Sequence, residues 1–191
     1  MINIGVLISG RGSNLQAIID AAERGDIPAK VAIVVSSKAD AYGLERAKKH
    51  NIQTAVLKDE KDILGVLKKH KVDLVCLAGY MRIVGKTLLD EYEGKMINIH
   101  PSLLPKFPGL HAQRQALEAG AKESGVTVHF VDEGCDTGPI ILQTKVPVKE
   151  GDTEESLSAR ILEQEHKIYP RAVKLFAQGK LKIEGGQARI L

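Results

Sequence analysis

The sequence has 191 residues, of which 43% are hydrophobic and 27% are charged. That length predicts one domain, with a core large enough to be stable without disulfides or metals. The composition is ordinary for a globular protein and excludes disordered, collagen-like and coiled-coil chains. No apolar run approaches the roughly 18 residues of a membrane-spanning helix, and the first residues lack the basic start of a signal peptide.

The charge and the small numbers of aromatic and cysteine residues exclude further classes. The chain has 27 lysines and arginines against 24 aspartates and glutamates, a formal net charge of +3, which is too small to indicate nucleic acid as a partner. Aromatic residues make up 4% and tryptophan is absent, so stacking platforms for bases are not expected. The two cysteines, Cys76 and Cys135, form neither a disulfide framework nor a metal cluster, which favours a reducing, cytoplasmic setting.

Strand-like and helix-like segments alternate along the first half of the chain. Apolar, β-branched runs predict strands and amphipathic spacing predicts helices, in the order strand 2–8, helix 14–24, strand 30–35, helix 41–50, strand 54–57, helix 59–70, strand 72–77 and strand 96–99. Continuously apolar strands between amphipathic helices indicate a parallel sheet covered on both faces. Ligands bind beyond the carboxyl ends of such strands, so functional residues are expected just after Ile8, Leu77 and Ile99.

The second half of the chain changes character. Two extended runs, 125–131 and 139–148, flank a loop of turn residues at 132–138 and predict an antiparallel, hairpin-like extension. A long helical pattern follows at 153–178, which Pro170 should kink or break. No repeat, low-complexity tract or linker divides the chain. We therefore expect a single α/β domain over residues 1–191, with a Rossmann-like, mostly parallel sheet.

A short loop from Ser9 to Asn14 joins the first strand to the first helix. Small residues before a helix leave backbone N–H groups free to bind an anion, which indicates a phosphate site. Either Ser13 or Asn14 is expected to cap the helix. The alternative is a tight turn with a cap and no ligand. The dinucleotide fingerprint would need glycine or alanine where Leu15 stands, so a phosphate monoester fits better than NAD.

The segment from Gly79 to Thr87 is similar to a Walker A loop but does not match one. It has one residue too many between its glycines, and bulky apolar side chains occupy the insert. We therefore exclude a nucleoside triphosphate site. Because it follows a buried strand, this segment is better suited to wall a flat ligand, with Arg82 available for a carboxylate.

Asn98 and His100 are the clearest pair for acyl chemistry. Alternation along the strand places both on the same side near its end, before a proline-rich exit. An amide donor beside an imidazole can stabilise an oxyanion and move protons; the alternative is that both satisfy loop backbone groups. Asp136, in the 132–138 loop, would orient the imidazole if the fold brought it near, and is otherwise a turn aspartate.

The remaining histidines have ordinary structural interpretations. His50 and His70 end helices, His111 lies in a loop, His129 in a strand and His166 in a helix. No set of histidines, cysteines and carboxylates has the spacing of a metal site, and no serine lies in a nucleophile elbow.

Four motifs together carry a resemblance to a known family. They are Gly-Ser-Asn-Leu-Gln-Ala-Ile at 12–18, Leu-Ala-Gly-Tyr-Met-Arg-Ile at 77–83, Asn-Ile-His-Pro-Ser-Leu-Leu-Pro at 98–105 and Asp-Thr-Gly-Pro-Ile-Ile at 136–141. In this order, and over essentially the whole chain, they resemble the phosphoribosylglycinamide formyltransferases, folate-dependent enzymes of purine synthesis. The third motif is specific to the wider formyltransferase family. The first motif, with Gln164-Glu165-His166, narrows the resemblance to this branch.

The resemblance implies roles for residues at the matching positions. The catalytic residues would be Asn98, His100 and Asp136. The ribonucleotide would be held by the phosphate loop and one glutamate, namely Gly12, Ser13, Asn14 and Glu165. The folate would contact Met81, Arg82, Ile83, Val84, Asn98, Asp132, Glu133, Gly134, Cys135 and Asp136. Residues 1–100 would form a ribonucleotide-binding half, and residues 101–191 a folate-binding and catalytic half.

The implied reaction moves the formyl group of the co-substrate 10-formyltetrahydrofolate to the amine of glycinamide ribonucleotide. Neither metal, membrane nor nucleic acid is expected to take part, and the chain would act as a monomer or homodimer. Two alternatives stay open, a formyltetrahydrofolate hydrolase and a nucleotide-binding module without chemistry. The family's hydrolases carry an additional N-terminal domain, and its tRNA-formylating members an additional C-terminal one; neither is expected here.

The sequence departs from the family at 58–70, a segment shorter than is usual. It lacks the arginine that many members place near the folate tail, and Lys58 and Lys61 are the candidates to replace it. A cis peptide bond is also expected between Leu104 and Pro105, because proline-rich bends beside active residues are where such bonds persist.

Overall fold

A seven-stranded sheet forms the centre of the protein, which a computed structural model describes over residues 1–191. Its strands are β1 (Ile2–Ile8), β2 (Ala29–Ser36), β3 (Thr54–Val56), β4 (Leu74–Leu77), β5 (Met96–His100), β6 (Glu123–Phe130) and β7 (Ile140–Pro147). They lie in the order β3-β2-β1-β4-β5-β6-β7. The first five pair in parallel, and β6 and β7 extend the sheet antiparallel. The predicted parallel sheet with an antiparallel extension is confirmed.

Six helices accompany the sheet: α1 (Ser13–Glu23), α2 (Tyr42–Lys49), α3 (Glu60–Lys69), α4 (Lys86–Glu91), α5 (Ala112–Glu118) and α6 (Glu154–Ala177). The four helices predicted from the sequence are present, each within one residue of its predicted ends. The patterns do not predict α4 and α5, because these short helices bury few side chains: Leu88 in α4, and Ala112 and Ala116 in α5. No helix in the protein combines the length and the hydrophobicity needed to cross a membrane.

Apolar side chains cover both faces of the sheet. Along β1, Val6 and Ile8 pack in the larger of two hydrophobic cores, whereas Leu7 packs in the smaller one. Successive strand residues point to opposite faces, so the two cores lie on opposite sides of the sheet. The larger core includes Ile18 of α1, and the smaller includes Ile63 of α3. This two-sided burial explains why the parallel strands are continuously apolar.

Tyr169 of α6 ties that helix to the sheet. Its side chain is fully buried, and its hydroxyl donates to the Leu77 carbonyl at 2.7 Å and lies 3.2 Å from the Ile97 carbonyl. Leu77 ends β4 and Ile97 lies in β5. The helix is therefore anchored to the end of β4 and to the first half of β5.

α6 runs without interruption through Pro170, so the predicted break does not occur. A capping box between Thr153 and Ser156 fixes its N-terminus. Tyr169 and Val173, on either side of the proline, are fully buried in the core. Packing of this kind stabilises a helix beyond its intrinsic propensity, which offsets the hydrogen bond that proline cannot donate.

A separate two-stranded hairpin follows α6. It consists of β8 (Leu181–Glu184) and β9 (Gln187–Ile190), and β9 packs near β7. Gly185 and Gly186 form the turn, both with the positive φ that a two-residue hairpin loop favours. Its strands are short and only partly buried, so the alternation is too weak to predict them from the sequence.

Candidate active site

Three segments meet along the edge of the sheet where the parallel strands end. The loop from Ser9 to Gly12 follows β1, the segment from Gly79 to Gly85 follows β4, and the proline-rich exit follows β5. These three strands are neighbours in the sheet. The N–H group of Met81 donates a 2.9 Å hydrogen bond to Ser9 Oγ, so the first two segments are in direct contact. The polar residues singled out in the sequence therefore share one edge, as this sheet type predicts.

The loop after β1 enters α1 through Gly12. This residue is the N-cap, and its φ of 71° lies in the left-handed region that favours glycine. Ser13 already has helical geometry, as does Asn14, so the predicted cap by one of their side chains is wrong; no side chain caps α1. The first N–H groups of α1 consequently have no acceptor within the helix, which suits a bound anion.

Asn14 faces Glu165 of α6 instead of capping its own helix. Its Nδ2 atom donates to Glu165 Oε2 over 2.7 Å, and both side chains are buried. Burial raises the pKa of the Glu165 carboxyl, and the hydrogen bond from Asn14 offsets part of that effect. The Asn14 Oδ1 atom has no hydrogen-bond partner. Both residues thus present acceptors, and the pair suits a ligand that carries N–H or O–H donors.

The segment after β4 presents apolar side chains to solvent. Met81 is 63% exposed and Ile83 is 95% exposed, and Arg82 between them is also exposed. Val84 packs partly buried against the smaller core and anchors the strip. An exposed apolar strip at a sheet edge is typical of a binding surface, and the guanidinium of Arg82 adds a donor for an anionic group.

The short 58–70 segment reaches this strip through Glu60. The Glu60 carboxylate accepts a hydrogen bond from the Gly85 N–H group. Asp59 caps α3 by accepting from backbone N–H groups of its first turn. Lys58 and Lys61 are both exposed beside this cap, and no contact distinguishes one from the other as a substitute for the missing arginine.

The fold brings together the three residues nominated for catalysis. Asn98 and His100 lie on β5, and Asp136 lies in the loop between β6 and β7. His100 Nδ1 is 3.3 Å from Asp136 Oδ2, and Asn98 Nδ2 is 3.5 Å from Asp136 Oδ1. One carboxylate therefore contacts both of the other side chains.

Both ring nitrogens of His100 face oxygen acceptors. Nδ1 faces the Asp136 carboxylate, and Nε2 lies 2.8 Å from the carbonyl oxygen of Phe107. Neither acceptor has a proton to donate, so both nitrogens need a hydrogen for both contacts to be favourable. The imidazole is only 6% exposed, so water cannot readily replace either contact. The two contacts fix the position and the orientation of the ring.

Asp136 is held as a carboxylate. Burial raises its pKa, but the nearby His129 side chain, the N–H group of Gly109 and the charge of His100 outweigh burial and lower the pKa to about 2. The Gly109 N–H group donates to Oδ2 over 2.8 Å. The backbone of Asp136 has a φ of 57°, in the left-handed region that aspartate tolerates better than most residues. The carboxyl group is consequently ionised throughout the neutral range.

His129 is a fourth member of this cluster, which the sequence patterns do not indicate. It pairs with Asn98 across β5 and β6. Its Nδ1 donates to the Phe130 carbonyl at 2.7 Å, which leaves Nε2 facing Asn98 Nδ2 at 3.3 Å and Asp136 Oδ1 at 3.6 Å. The signal that identifies it is the register of the two strands, which one sequence does not reveal. No group of three or more histidine, cysteine or acidic side chains is arranged to hold a metal ion.

The proline-rich exit from β5 is fixed by hydrogen bonds to β6 and β7. The Leu104–Pro105 peptide bond is cis, which confirms the prediction. Thr127 Oγ1 donates to the Ser102 carbonyl at 2.7 Å and accepts from the Leu104 N–H at 3.1 Å. Gln143 Nε2 donates to the Leu104 carbonyl at 2.8 Å. These bonds set the path of the chain from β5 to Phe107 and Gly109, which contact His100 and Asp136.

The loop from Asp132 to Asp136 is closed by its own first side chain. Asp132 Oδ1 accepts from the Gly134 N–H at 3.1 Å and from the Thr137 hydroxyl at 2.7 Å. This turn presents the rest of the loop to solvent, and its exposed residues are Glu133, Gly134 and Cys135. The loop thus offers backbone groups and polar side chains next to the Asp136 carboxylate.

Known proteins share both the sequence and the fold of this chain. The family model described as formyl transferase matches residues 2–173. A phosphoribosylglycinamide formyltransferase from Escherichia coli strain K12 is 49% identical over 195 residues, which cover 97% of this chain and 92% of the relative. The crystal structure of glycinamide ribonucleotide transformylase 1 from Symbiobacterium toebii has a TM-score of 0.97 and 55% identity, covering 100% of this chain and 94% of that one.

A structure with lower sequence identity has the same fold. A formyltetrahydrofolate deformylase from Pseudomonas syringae has a TM-score of 0.93 at 25% identity, and the match covers 100% of this chain and 66% of that one. Backbone geometry is therefore shared with an enzyme of another name, whereas sequence identity is about twice as high with the transformylases. The chain belongs to the formyl transferase family, on the branch of the phosphoribosylglycinamide formyltransferases.

Proposed function

We propose that this protein transfers the formyl group of 10-formyltetrahydrofolate to the amine of glycinamide ribonucleotide. The products are formylglycinamide ribonucleotide and tetrahydrofolate, in the de novo synthesis of purines. The observation that carries the proposal is the contact of Asn98, His100 and Asp136 at a sheet edge that also holds an anion loop and an exposed apolar strip. Relatives that share 49% and 55% of their residues with this chain bear the name of this activity.

The ribonucleotide is assigned to the corner between α1 and α6. Its phosphate would accept hydrogen bonds from the N–H groups of Gly12, Ser13 and Asn14, at the positive end of the α1 dipole. Glu165 would bind the glycinamide end. The unpartnered Asn14 Oδ1 atom supports this placement, because a buried acceptor without a donor is costly until a ligand supplies one.

The formyl-folate is assigned to the space between the apolar strip and the 132–136 loop. The strip, which consists of Met81, Arg82, Ile83 and Val84, would pack against the flat ring system. The loop, which consists of Asp132, Glu133, Gly134, Cys135 and Asp136, would hydrogen-bond the edge of the pterin. Both halves of the domain would then contribute, since the strip belongs to residues 1–100 and the loop to residues 101–191.

In the reaction, the glycinamide amine attacks the formyl carbon, and the electrons of the carbonyl double bond move onto oxygen. Asn98 Nδ2 and His100 Nε2 would donate hydrogen bonds to this oxyanion. His100 would exchange the neutral Phe107 carbonyl for a charged, stronger acceptor, while Asp136 keeps the ring protonated and oriented. Collapse of the intermediate breaks the bond to the folate nitrogen, which takes up the proton lost by the amine, directly or through water.

Hydrolysis of formyl-folate is a second candidate, favoured by the structural likeness to a deformylase. The same cluster could direct a water molecule to the formyl carbon instead of an amine. The buried Asn14–Glu165 pair argues for the transferase, because a hydrolase has no ribonucleotide for that corner to bind.

One assay separates the candidates. The protein is incubated with formyl-folate, with and without glycinamide ribonucleotide, while absorbance follows deformylation and mass spectrometry identifies the formylated product. Transfer requires that turnover depend on both substrates. Folate turnover without the amine would establish hydrolysis, and no turnover at all would leave a binding module. The Asp136→Asn variant, which conserves size, controls for contaminating activity.

We further propose that the protein works on small molecules in the cytoplasm as a monomer or homodimer. Cys76 and Cys135 are both free thiols, which suits a reducing compartment. Sedimentation at several protein concentrations distinguishes the two oligomeric states.

A further inference from the structure

We propose that Arg46 positions the phosphate loop for ribonucleotide binding by holding the carbonyl group of Arg11. Arg46 lies on α2, outside every motif singled out in the sequence. The inference rests on the proposed function, because it concerns how the loop is shaped for a phosphate. Arg46 would be a positioning residue, acting through the loop backbone and not by touching the substrate.

Two consecutive carbonyl groups of the loop are held by α2. The Gly43 N–H donates to the Gly10 carbonyl over 3.0 Å, and Arg46 Nε donates to the Arg11 carbonyl over 2.9 Å. Gly43 and Arg46 lie about one turn apart on α2. The loop backbone is therefore fixed at two successive peptide units by the same helix.

Holding these carbonyl groups determines where the N–H groups of the loop point. The C=O and N–H of one planar trans peptide unit point in opposite directions. The Arg11 carbonyl shares its peptide unit with the Gly12 N–H, so turning the carbonyl toward Arg46 turns that N–H away from α2. Neither this N–H nor that of Arg11 donates to a backbone acceptor. Both stay available to an anion, together with the first N–H groups of α1.

The loop lies too close to α2 to respond to a lost contact by shifting. A Cβ atom at Gly12 would lie 2.7 Å from Gly43 Cα, and one at Gly43 would lie 3.3 Å from Gly12 Cα. Backbone thus packs directly on backbone. The freedom that remains is rotation of the peptide unit between Arg11 and Gly12, which is the motion that the Arg46 hydrogen bond opposes.

The guanidinium of Arg46 is itself held on two sides. Its Nη1 donates to Gln16 Oε1 at 3.3 Å, and the Tyr42 ring centroid lies 5.0 Å from its central carbon. Gln16 is fixed in turn, because its Nε2 donates to Asp20 Oδ1 at 2.8 Å. A planar guanidinium can bond the loop carbonyl and Gln16 together, whereas a lysine ammonium is a compact point donor.

Positive charge beside the loop would also attract a phosphate, without any positioning. Two substitutions separate charge from geometry. Arg46→Lys keeps the charge and removes the planar donor. Lys49→Ala removes a charge that lies over the same Tyr42 ring, at 5.8 Å from its centroid, and leaves the bond from Arg46 to the Arg11 carbonyl intact.

Steady-state kinetics of these variants test the proposal. In Arg46→Lys, we expect KM for glycinamide ribonucleotide to rise roughly tenfold, the loss typical of one hydrogen bond to a charged group. KM for formyl-folate should stay within about twofold of wild type, and Lys49→Ala should resemble wild type for both substrates. An unchanged ribonucleotide KM in Arg46→Lys, or equal losses in the two variants, overturns the proposal. Gln16→Met removes the acceptor of Arg46 Nη1, together with the contacts of Gln16 to Asp20 and His50, and leaves the Arg46 Nε donor in place; it should show the same selectivity more weakly.

A ligand series then ties the effect to the phosphate group. Calorimetric binding of ribose 5-phosphate, which needs no turnover, should weaken in Arg46→Lys by the factor seen in KM. Glycinamide ribonucleoside, which lacks the phosphate, should be used equally by wild type and variant; a loss as large as with the ribonucleotide contradicts the proposal. Wild-type protein that binds ribose 5-phosphate without any turnover refutes the proposed function alone. Absence of that binding refutes the phosphate loop and this inference together.

Discussion

At the scale of single residues, Asp136 has the largest set of partners in the cluster of Asn98, His100, His129 and Asp136. Its two oxygens reach Asn98, His100, His129 and the N–H group of Gly109. A change at this position therefore alters the charge beside two imidazoles and the orientation of one amide at once. Substitution by asparagine separates the effect of the charge from that of the shape, because asparagine has the shape of aspartate but is uncharged.

Asp136→Asn should slow the reaction. The backbone there is left-handed, and asparagine tolerates that region well. Asparagine offers His100 Nδ1 no charged acceptor, so the imidazole is oriented less firmly and kcat should fall. His100→Ala should cost on the order of 10²–10⁴-fold, and the double variant little more. Full additivity of the two losses would place Asp136 outside this pair.

Gly12 and Gly10 are a matched pair within the phosphate loop. A Cβ atom at Gly12 would meet Gly43 Cα at 2.7 Å and require a left-handed backbone, whereas nothing lies within 4 Å of one at Gly10. Gly12→Asp also adds a charge that repels phosphate, so the ribonucleotide KM should rise on the order of tenfold or more. Gly10→Ala should stay within about twofold of wild type. Ribonucleotide binding that survives Gly12→Asp removes this loop from the site.

At the scale of elements, the contact between Asn14 of α1 and Glu165 of α6 reduces the stability of the folded protein while it prepares a binding site. The raised pKa of Glu165 means that the folded protein disfavours the charged form of this carboxyl more than the unfolded chain does. Glu165→Gln keeps an acceptor for Asn14 and has no charge to bury. We expect Tm to rise by roughly a few degrees. KM for the ribonucleotide should rise as well, because the variant lacks the Glu165 carboxylate that we propose binds the glycinamide end.

The sign of the Glu165 effect can be checked by pH. A carboxyl whose pKa is raised on folding stabilises the protein fully below its unfolded value and loses that contribution as pH rises through the folded value. The difference in Tm between Glu165→Gln and wild type should therefore grow from acid to neutral pH. A difference that is independent of pH would mean that the substitution acts through packing.

The elements differ in how well the sequence predicts them, and burial explains the difference. β1 and α1 are long and largely buried, so their apolar periodicity is strong. α4 has 6 residues and one buried side chain, which leaves no period to detect. Pro170 predicts a break that does not occur, because a local rule about proline does not include the packing of Tyr169 against the sheet.

At the scale of the whole molecule, the site is assembled over long stretches of sequence. Asn98 and His100 share one strand, so alternation alone could pair them. Asp136 is 38 residues from Asn98, and Glu165 is 151 residues from Asn14; resemblance to a family indicated these partners, and spacing could not. Neither the spacing nor the resemblance predicts that His129 belongs to the cluster, because its position depends on how β6 pairs with β5.

Acid should reduce the stability of the whole fold partly through the cluster. The pKa of Asp136 falls from 3.8 to about 2 on folding, so its contribution is complete above pH 3.8 and is lost as pH falls toward about 2. Wild type should be more stable than Asp136→Asn above that range, and the two should converge within it. Urea unfolding at a series of pH values measures the difference, and a difference that stays constant would assign it to packing alone.

Glu165 and Tyr169 are four residues apart on α6, and each docks on a different part of the molecule. Glu165 contacts Asn14 of α1, whereas Tyr169 contacts the carbonyl groups of Leu77 in β4 and Ile97 in β5. Residues four apart share a helix face, and inserting or deleting one residue between them would rotate the remainder of the helix by about 100°. Either contact could then be kept only by losing the other. The number of residues between Glu165 and Tyr169 is therefore fixed by the two contacts together.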